Sequence, residues 1–152
     1  MFVINNFYDL ENIQNLAKEE LEENLKEIFE KNKVIISVRR FCSQKGFSFL
    51  LEAFSKVSQR FSDISLVILG EGENEKELKE LARKLKIENK VYFLRFQKNP
   101  FKFLKNSVIF VSPTLREGFG NVLIEAMTCD IPTIATRCPS GPDEIITNRV
   151  NG

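Results

Sequence analysis

Two glutamates eight positions apart, Glu117 and Glu125, are the residues best suited to chemistry in this sequence. Glu117 lies in a segment interrupted by glycines, and Glu125 lies inside an apolar run with helical spacing. A carboxylate in a loop and a second carboxylate in the helix that follows can reach two ends of one polyhydroxylated ligand. The pair therefore indicates sugar-nucleotide chemistry.

The surroundings of Glu125 leave two interpretations open. The run is apolar on two sides of the predicted helix, so we expect Glu125 to be largely buried. A buried carboxylate needs a partner because it loses its hydration. The hydroxyls of a ribose would be one partner, and a salt bridge with a Lys or Arg would be the other.

Gly118 and Gly120 precede the same helix. They leave backbone N–H groups open at a helix start, which suits a phosphate or a sugar hydroxyl. Gly70 and Gly72 follow a predicted strand and allow a close backbone approach to a ligand, although an ordinary strand-to-helix turn needs the same residues.

A basic loop carries the third candidate feature. Arg39, Arg40 and Lys45 precede a predicted helix that begins at Phe47. Cations beside a helix N-terminus favour an anion, and an arginine can hold a diphosphate through two parallel hydrogen bonds. A solvated surface loop is the competing interpretation.

Composition excludes several classes of protein. The 152 residues suit one domain, and 22 basic against 21 acidic residues give no global charge for nucleic acid or an anionic surface. The absence of His argues against a zinc site and excludes Ser-His or Cys-His hydrolases. Three scattered Cys indicate reduced thiols in the cytoplasm. There is no G-x-G-x-x-G or P-loop motif. No stretch predicts a membrane span, so any membrane association would be peripheral, at the inner face.

Hydrophobic spacing predicts alternating helices and strands. The first helix should run over 9–31 with Asp9 as its N-cap, and Asn74 with Glu77 resembles a capping box. Further helices are predicted at 47–61, after Asn74, at 100–105 and at 119–127. Apolar strands are predicted at 34–38, 66–69, 91–94, 108–111 and 132–136. This alternation predicts an α/β, Rossmann-like, doubly wound parallel sheet with ligands at the carboxyl ends of the strands.

Taken together, these motifs resemble the C-terminal, donor-binding half of retaining glycosyltransferases with the GT-B fold (family 4, or glycosyl transferases group 1). The resemblance covers nearly the whole chain. The residues that carry it are Glu117 and Glu125, Arg40 with Lys45 and Gly46, Gly70 with Gly72, and the segment 138–145. Arg39, Arg95 and Asp130 depart from it, because the family often has glycine there. In the donor-facing loops, Arg39 and Arg95 could obstruct a ligand or add charge beside its phosphates.

The resemblance implies a role for each residue. Arg40 and Lys45 would bind the donor diphosphate, Glu117 would contact the donor sugar, and Glu125 would hold the ribose hydroxyls. Further donor contacts would come from Gly70, Gly72 and Leu94, and from the backbone of Gly118, Phe119, Gly120, Asn121 and Val122. No metal or other cofactor would be needed, because the cations neutralise the diphosphate.

The implied reaction is transfer of a hexose or N-acetylhexosamine from a nucleoside-diphosphate sugar, with UDP expected, to a glycan or lipid-linked acceptor with retention. Such chemistry belongs to polysaccharide biosynthesis. Residues 1–32 would form a linker helix and residues 33–152 the sugar-nucleotide-binding domain, truncated at its C-terminus. The acceptor wall would belong to a missing N-terminal GT-B domain, so we expect the chain alone to be inactive. The alternatives are a non-catalytic remnant, one half of a split glycosyltransferase, or, with less support, a sugar-nucleotide epimerase.

Overall fold

A computed structural model describes residues 7–138, 141–147 and 150 of the chain. Its centre is one parallel sheet with the strand order β3-β2-β1-β4-β5. The strands are β1 (Lys33–Val38), β2 (Ile64–Leu69), β3 (Val91–Leu94), β4 (Ile109–Ser112) and β5 (Thr133–Ala135). The helices are α1 (Leu10–Ala17), α2 (Glu23–Lys31), α3 (Phe47–Ser58), α4 (Glu75–Lys84), α5 (Phe101–Lys105), α6 (Asn121–Thr128) and α7 (Pro142–Ile145), with a 3-10 turn at Ser43–Lys45.

Apolar side chains fill a core on each side of the sheet, which confirms the predicted doubly wound architecture. Every residue of β2 is buried, as its continuous apolar sequence predicts. One core contains Phe103 and Phe110 of the α1, α5 and α6 side, and the other contains Phe47 and Phe54 of the α3 and α4 side. A sheet covered on both faces leaves the ends of its strands as the open positions.

The prediction of one helix over 9–31 is wrong, because the structure has two. Asp9 does cap α1, since its carboxylate accepts the N–H of Asn12 at 3.0 Å. The Leu16 carbonyl then accepts a hydrogen bond from the Asn99 side chain at 2.8 Å, which satisfies a carbonyl at the end of α1. The break that follows lets Leu21 reach the same core as Ile13 of α1.

The capping box predicted at the start of α4 is also wrong. The Asn74 side chain donates to the Glu77 carboxylate at 2.7 Å and makes no hydrogen bond to a backbone N–H of the first turn. Its own backbone N–H donates to the Phe41 carbonyl at 3.2 Å. The residue therefore joins the loops after β1 and β2.

The helix that carries Glu125 begins two residues later than predicted, at Asn121. Gly120 adopts φ +90°, a left-handed conformation that cannot continue the α-helix. Gly118 and Phe119 therefore belong to the loop after β4. The short helix α7 was not predicted.

Two loops meet where the sheet reverses its strand order, between β1 and β4. The N–H of Leu115 donates to the Gln44 carbonyl at 2.9 Å. Gly46 adopts φ +65°, and a Cβ there would lie 2.1 Å from the Pro113 carbonyl oxygen. Only glycine permits this approach, so Gly46 holds the loop after β1 against the loop after β4. The topological switch point is the ligand crevice of folds of this class.

Candidate functional site

Glu117 lies at this switch point between two cations. Its Oε2 atom is 2.9 Å from Arg39 Nη2 and 3.1 Å from Lys45 Nζ. The three side chains are only 13–17% exposed, so solvent screens their charges weakly. Burial lowers the pKa of Arg39, and the charges of Glu117 and Glu125 oppose that shift. We call Arg39, Lys45 and Glu117 the charged cluster.

Arg40 lies outside the charged cluster. Its side chain is 75% exposed, and its guanidinium is 3.4 Å from the Glu73 carboxylate. Of the two neighbouring arginines, the structure brings Arg39 to Glu117 and Lys45, whereas the family resemblance selects Arg40. The predicted role of Arg40 at the diphosphate stays a prediction. In the sequence, Arg39 was distinguished only by the fact that the resembled family often has glycine at this position.

Glu125 projects from α6 as a half-buried carboxylate. Among the described residues, its side chain forms no ion pair within 4.0 Å, so the salt-bridge interpretation is not observed there. Burial raises the pKa of Glu125, and the charge of Arg39 partly opposes that shift. Glu125 is therefore a desolvated acid beside the charged cluster, with acceptor atoms available to a ligand.

The segment between the two glutamates offers mainly its backbone. A Cβ at Gly118 would meet nothing within 4 Å, so the chain at Gly118 faces open space. The side chain of Val122 is buried in the core, Phe119 is half-buried, and the exposed Asn121 accepts a hydrogen bond from the Tyr8 hydroxyl at 2.8 Å. A ligand at Gly118 would meet the N–H and C=O groups of the loop.

Gly70 and Gly72 lie against the chain that follows β1. A Cβ on Gly70 would be 2.0 Å from the Arg39 carbonyl oxygen, and a Cβ on Gly72 would be 2.2 Å from that of Phe41. These close backbone contacts explain why both residues are glycine, and the explanation does not require a ligand. The donor contacts predicted for Gly70, Gly72 and Leu94 remain predictions. In the structure, the Leu94 carbonyl accepts a hydrogen bond from the Gly70 N–H at 3.0 Å.

A cleft of about 360 Å³ opens beside Arg39 at the ends of β1 and β2. Phe96, which is 74% exposed, lines it. Sequence analysis missed Phe96, although an aromatic residue two positions after the end of β3 was an available signal. The other residues that line the cleft are Val38, Arg39, Arg40, Leu69, Gly70, Glu71, Gln97 and Pro100.

Residues 7–138, 141–147 and 150 contain neither a cluster of metal ligands nor a helix that could span a membrane. Within those ranges, no group of three or more Cys, Asp or Glu side chains gathers as metal ligands would. In the same part of the chain, no helix is both long and apolar enough to cross a membrane.

The five parallel strands and their flanking helices define an α/β, Rossmann-like domain, which matches the C-terminal domain of GT-B glycosyltransferases. The chain belongs to the family described as Glycosyl transferases group 1, which it matches over residues 18–152. The resemblance noted from the motifs is thereby confirmed at the level of the family and the fold.

Individual relatives agree with this assignment. A glycosyltransferase of Methanocaldococcus jannaschii, described as uncharacterized, is 42% identical over 98% of this chain and 37% of its own length. The Campylobacter jejuni N-acetylgalactosamine-N,N'-diacetylbacillosaminyl-diphospho-undecaprenol 4-alpha-N-acetylgalactosaminyltransferase is 36% identical over 94% of this chain and 36% of its own length. Anabaena HepE in complex with UDP-glucose superposes with a TM-score of 0.84 at 25% identity, over 99% of this chain and 42% of HepE. The chain thus spans about a third of the length of its curated relatives.

Proposed function

We propose that this chain is the donor-binding part of a retaining glycosyltransferase. The donor is a nucleoside-diphosphate hexose or N-acetylhexosamine, with UDP as the nucleotide. The acceptor is a glycan or a lipid-linked sugar, and a second GT-B domain supplies the acceptor wall. HepE in complex with UDP-glucose supports the donor, and the C. jejuni enzyme named for a diphospho-undecaprenol-linked acceptor supports the acceptor class.

The half-buried Glu125 carboxylate carries this proposal. It lies near enough to Arg39 for the two charges to interact, and among the described residues no cation pairs with it within 4.0 Å. A desolvated carboxylate gains most from donors that bind both of its oxygens. The two hydroxyls of a ribose are such donors, so Glu125 is assigned to the nucleoside.

The remaining groups fit the other parts of a sugar nucleotide. The cleft beside Phe96 suits a flat base, because aromatic side chains stack on bases. Lys45 suits the diphosphate, and the open backbone at Gly118 suits the sugar. The cations do the charge neutralisation that a divalent metal does elsewhere, so we propose that donor binding needs no metal.

Titration of UDP-glucose and UDP-N-acetylglucosamine against the purified chain, followed by ligand-observed NMR, tests the proposal. We expect saturable binding that persists in EDTA. Glu125→Gln should weaken binding by about tenfold, because charge-assisted hydrogen bonds to the ribose are lost. Glu52→Gln is the matched control, since Glu52 is exposed on α3. Absence of binding by the wild-type chain, or equal binding by Glu125→Gln, would contradict the assignment.

The alternatives of a split glycosyltransferase or a non-catalytic remnant share the same binding site. Adding a separately expressed N-terminal GT-B domain to the chain separates them. Restored sugar transfer supports a split enzyme, whereas donor binding without transfer in any such mixture supports the remnant.

A further inference from the structure

We propose that Arg39, rather than Arg40, is the arginine that binds the donor diphosphate. We also infer that the diphosphate replaces the Glu117 carboxylate on Arg39 and Lys45 when the donor binds. This inference rests on the proposed function, because it concerns a residue of the same site.

The first evidence is the edge of the Arg39 guanidinium that carries Nε and Nη2, which makes no hydrogen bond to a described residue. Nε and Nη2 are both buried, and neither has a hydrogen-bond acceptor among the described residues. Nη2 lies 2.9 Å from Glu117 Oε2, but their alignment does not meet the geometry of a hydrogen bond. Nε–H and Nη2–H together form the fork that binds two oxygens of a phosphate or a carboxylate in parallel. The two N–H groups of Arg39 are therefore suited to bind an oxyanion such as a phosphate.

The exposure of the two arginines separates their expected contributions. Arg39 is 14% exposed, whereas Arg40 is 75% exposed and already near Glu73. Charge interactions strengthen as water is excluded, and exposed ion pairs contribute little. A phosphate beside Arg39 would be bound more strongly than one beside Arg40.

The location of Arg39 also fits a diphosphate. It belongs to the charged cluster and lines the cleft that we assign to the base. The diphosphate of a sugar nucleotide lies between its nucleoside and its sugar. A ligand with its base beside Phe96 and its sugar near Glu117 would therefore have its phosphates close to Arg39.

Glu117 explains why a switch of partners accompanies binding. In this structure, one carboxylate lies between two cations, so the charged cluster carries a net charge of +1. A diphosphate brings more negative charge than Glu117 and supplies acceptors for the Arg39 fork. Once displaced from Arg39 and Lys45, the carboxylate can accept a hydrogen bond from a sugar hydroxyl.

The test compares UDP with uridine, which lacks the phosphates, as ligands of the wild-type chain and of single variants. We expect Arg39→Gln to weaken UDP binding by about tenfold or more, because the phosphate contact is removed. Uridine binding should fall by less than about threefold, because uridine meets Arg39 only as one of the residues that line the base cleft. Arg40→Gln should weaken UDP binding by less than about threefold. Arg60→Gln, at an exposed position two residues beyond the end of α3, is the control. Thermal unfolding of each variant establishes that it is folded.

A second variant keeps the test decisive if Arg39→Gln does not fold. Glu117→Gln removes the competing negative charge, so UDP should bind it more tightly than it binds the wild-type chain. Equal or weaker UDP binding by Glu117→Gln would overturn the exchange. Unchanged UDP binding by folded Arg39→Gln, or an equal loss in Arg40→Gln, would overturn the role of Arg39 while the proposed function stands. Failure of the wild-type chain to bind UDP would overturn both.

Discussion

The ammonium of Lys45 lies 3.1 Å from the carboxylate of Glu117, although 72 positions separate the two residues in the chain. The contact joins the loop after β1 to the loop after β4 at the topological switch point, where the strand order reverses. Because both side chains are largely buried, the two loops form one electrostatic unit.

Glu125→Gln should change how stability depends on pH. Burial raises the pKa of Glu125 in the folded chain, so the folded state retains this proton to a higher pH than the unfolded state. The resulting contribution is present below the ordinary pKa of a glutamate, about 4.3, and is lost as pH rises through the raised value. Urea unfolding of both proteins between pH 4 and 8 should show a stability advantage of Glu125→Gln that grows with pH. A constant difference would contradict the raised pKa.

Gly118→Ala should separate ligand binding from folding. The added methyl group meets nothing within 4 Å, and Gly118 is not among the glycines with positive φ. We therefore expect unfolding free energy to change by less than about 1 kcal/mol. UDP-sugar affinity should fall, because the methyl group would enter the space proposed for the donor. NMR titration and urea unfolding of the same sample measure both quantities.

Gly70→Ala is the contrasting variant. Its methyl group would lie 2.0 Å from the Arg39 carbonyl oxygen, at a residue with φ +145°. We expect a loss of at least about 2 kcal/mol of unfolding free energy, since the backbone must move. Similar stability of Gly70→Ala and Gly118→Ala would show that the tight packing of the loops after β1 and β2 is absent in solution.

Phe96→Ala should weaken binding of the base. Phe96 is 74% exposed beside the cleft, so its removal should leave unfolding free energy within about 0.5 kcal/mol of the wild-type value. Loss of stacking should reduce uridine and UDP affinity by about fivefold or more. Phe61→Ala is the matched control, since Phe61 is 53% exposed beyond the end of α3. Equal uridine and UDP affinities of Phe96→Ala and Phe61→Ala would contradict the assignment of the base to this cleft.

Ile13→Ala should show that α1 folds with the sheet. Ile13 is buried in the core that also contains Phe103 and Phe110. Its truncation should cost about 2–4 kcal/mol in a single cooperative unfolding transition, because a core cavity is created. Leu10→Ala on the same helix is the control, since Leu10 is 49% exposed. An unchanged midpoint for Ile13→Ala would support the boundary between a linker at 1–32 and a domain at 33–152.

The sequence by itself determined the class of fold, and it identified Glu117 and Glu125 as candidate site residues. Buried parallel strands are continuous apolar runs, and helices repeat every three to four residues, so local spacing predicted all five strands. Local spacing did not predict the break between α1 and α2, because the hydrogen bond from Asn99 to Leu16 comes from a loop far along the chain.

Only the tertiary structure decided which arginine accompanies Glu117. Arg39 and Arg40 are adjacent and chemically identical, so sequence offers only family resemblance to distinguish them. Directly after β1 the chain directs Arg39 towards the loop after β4 and Arg40 towards solvent and Glu73. The sequence predicted the burial of Glu125, which the structure shows as half-buried, but the absence of a salt bridge to it among the described residues was decided by packing. An ion pair depends on the distance between two charges in the folded chain. The partners of Glu117 therefore depend on how the loop after β1 packs against the loop after β4.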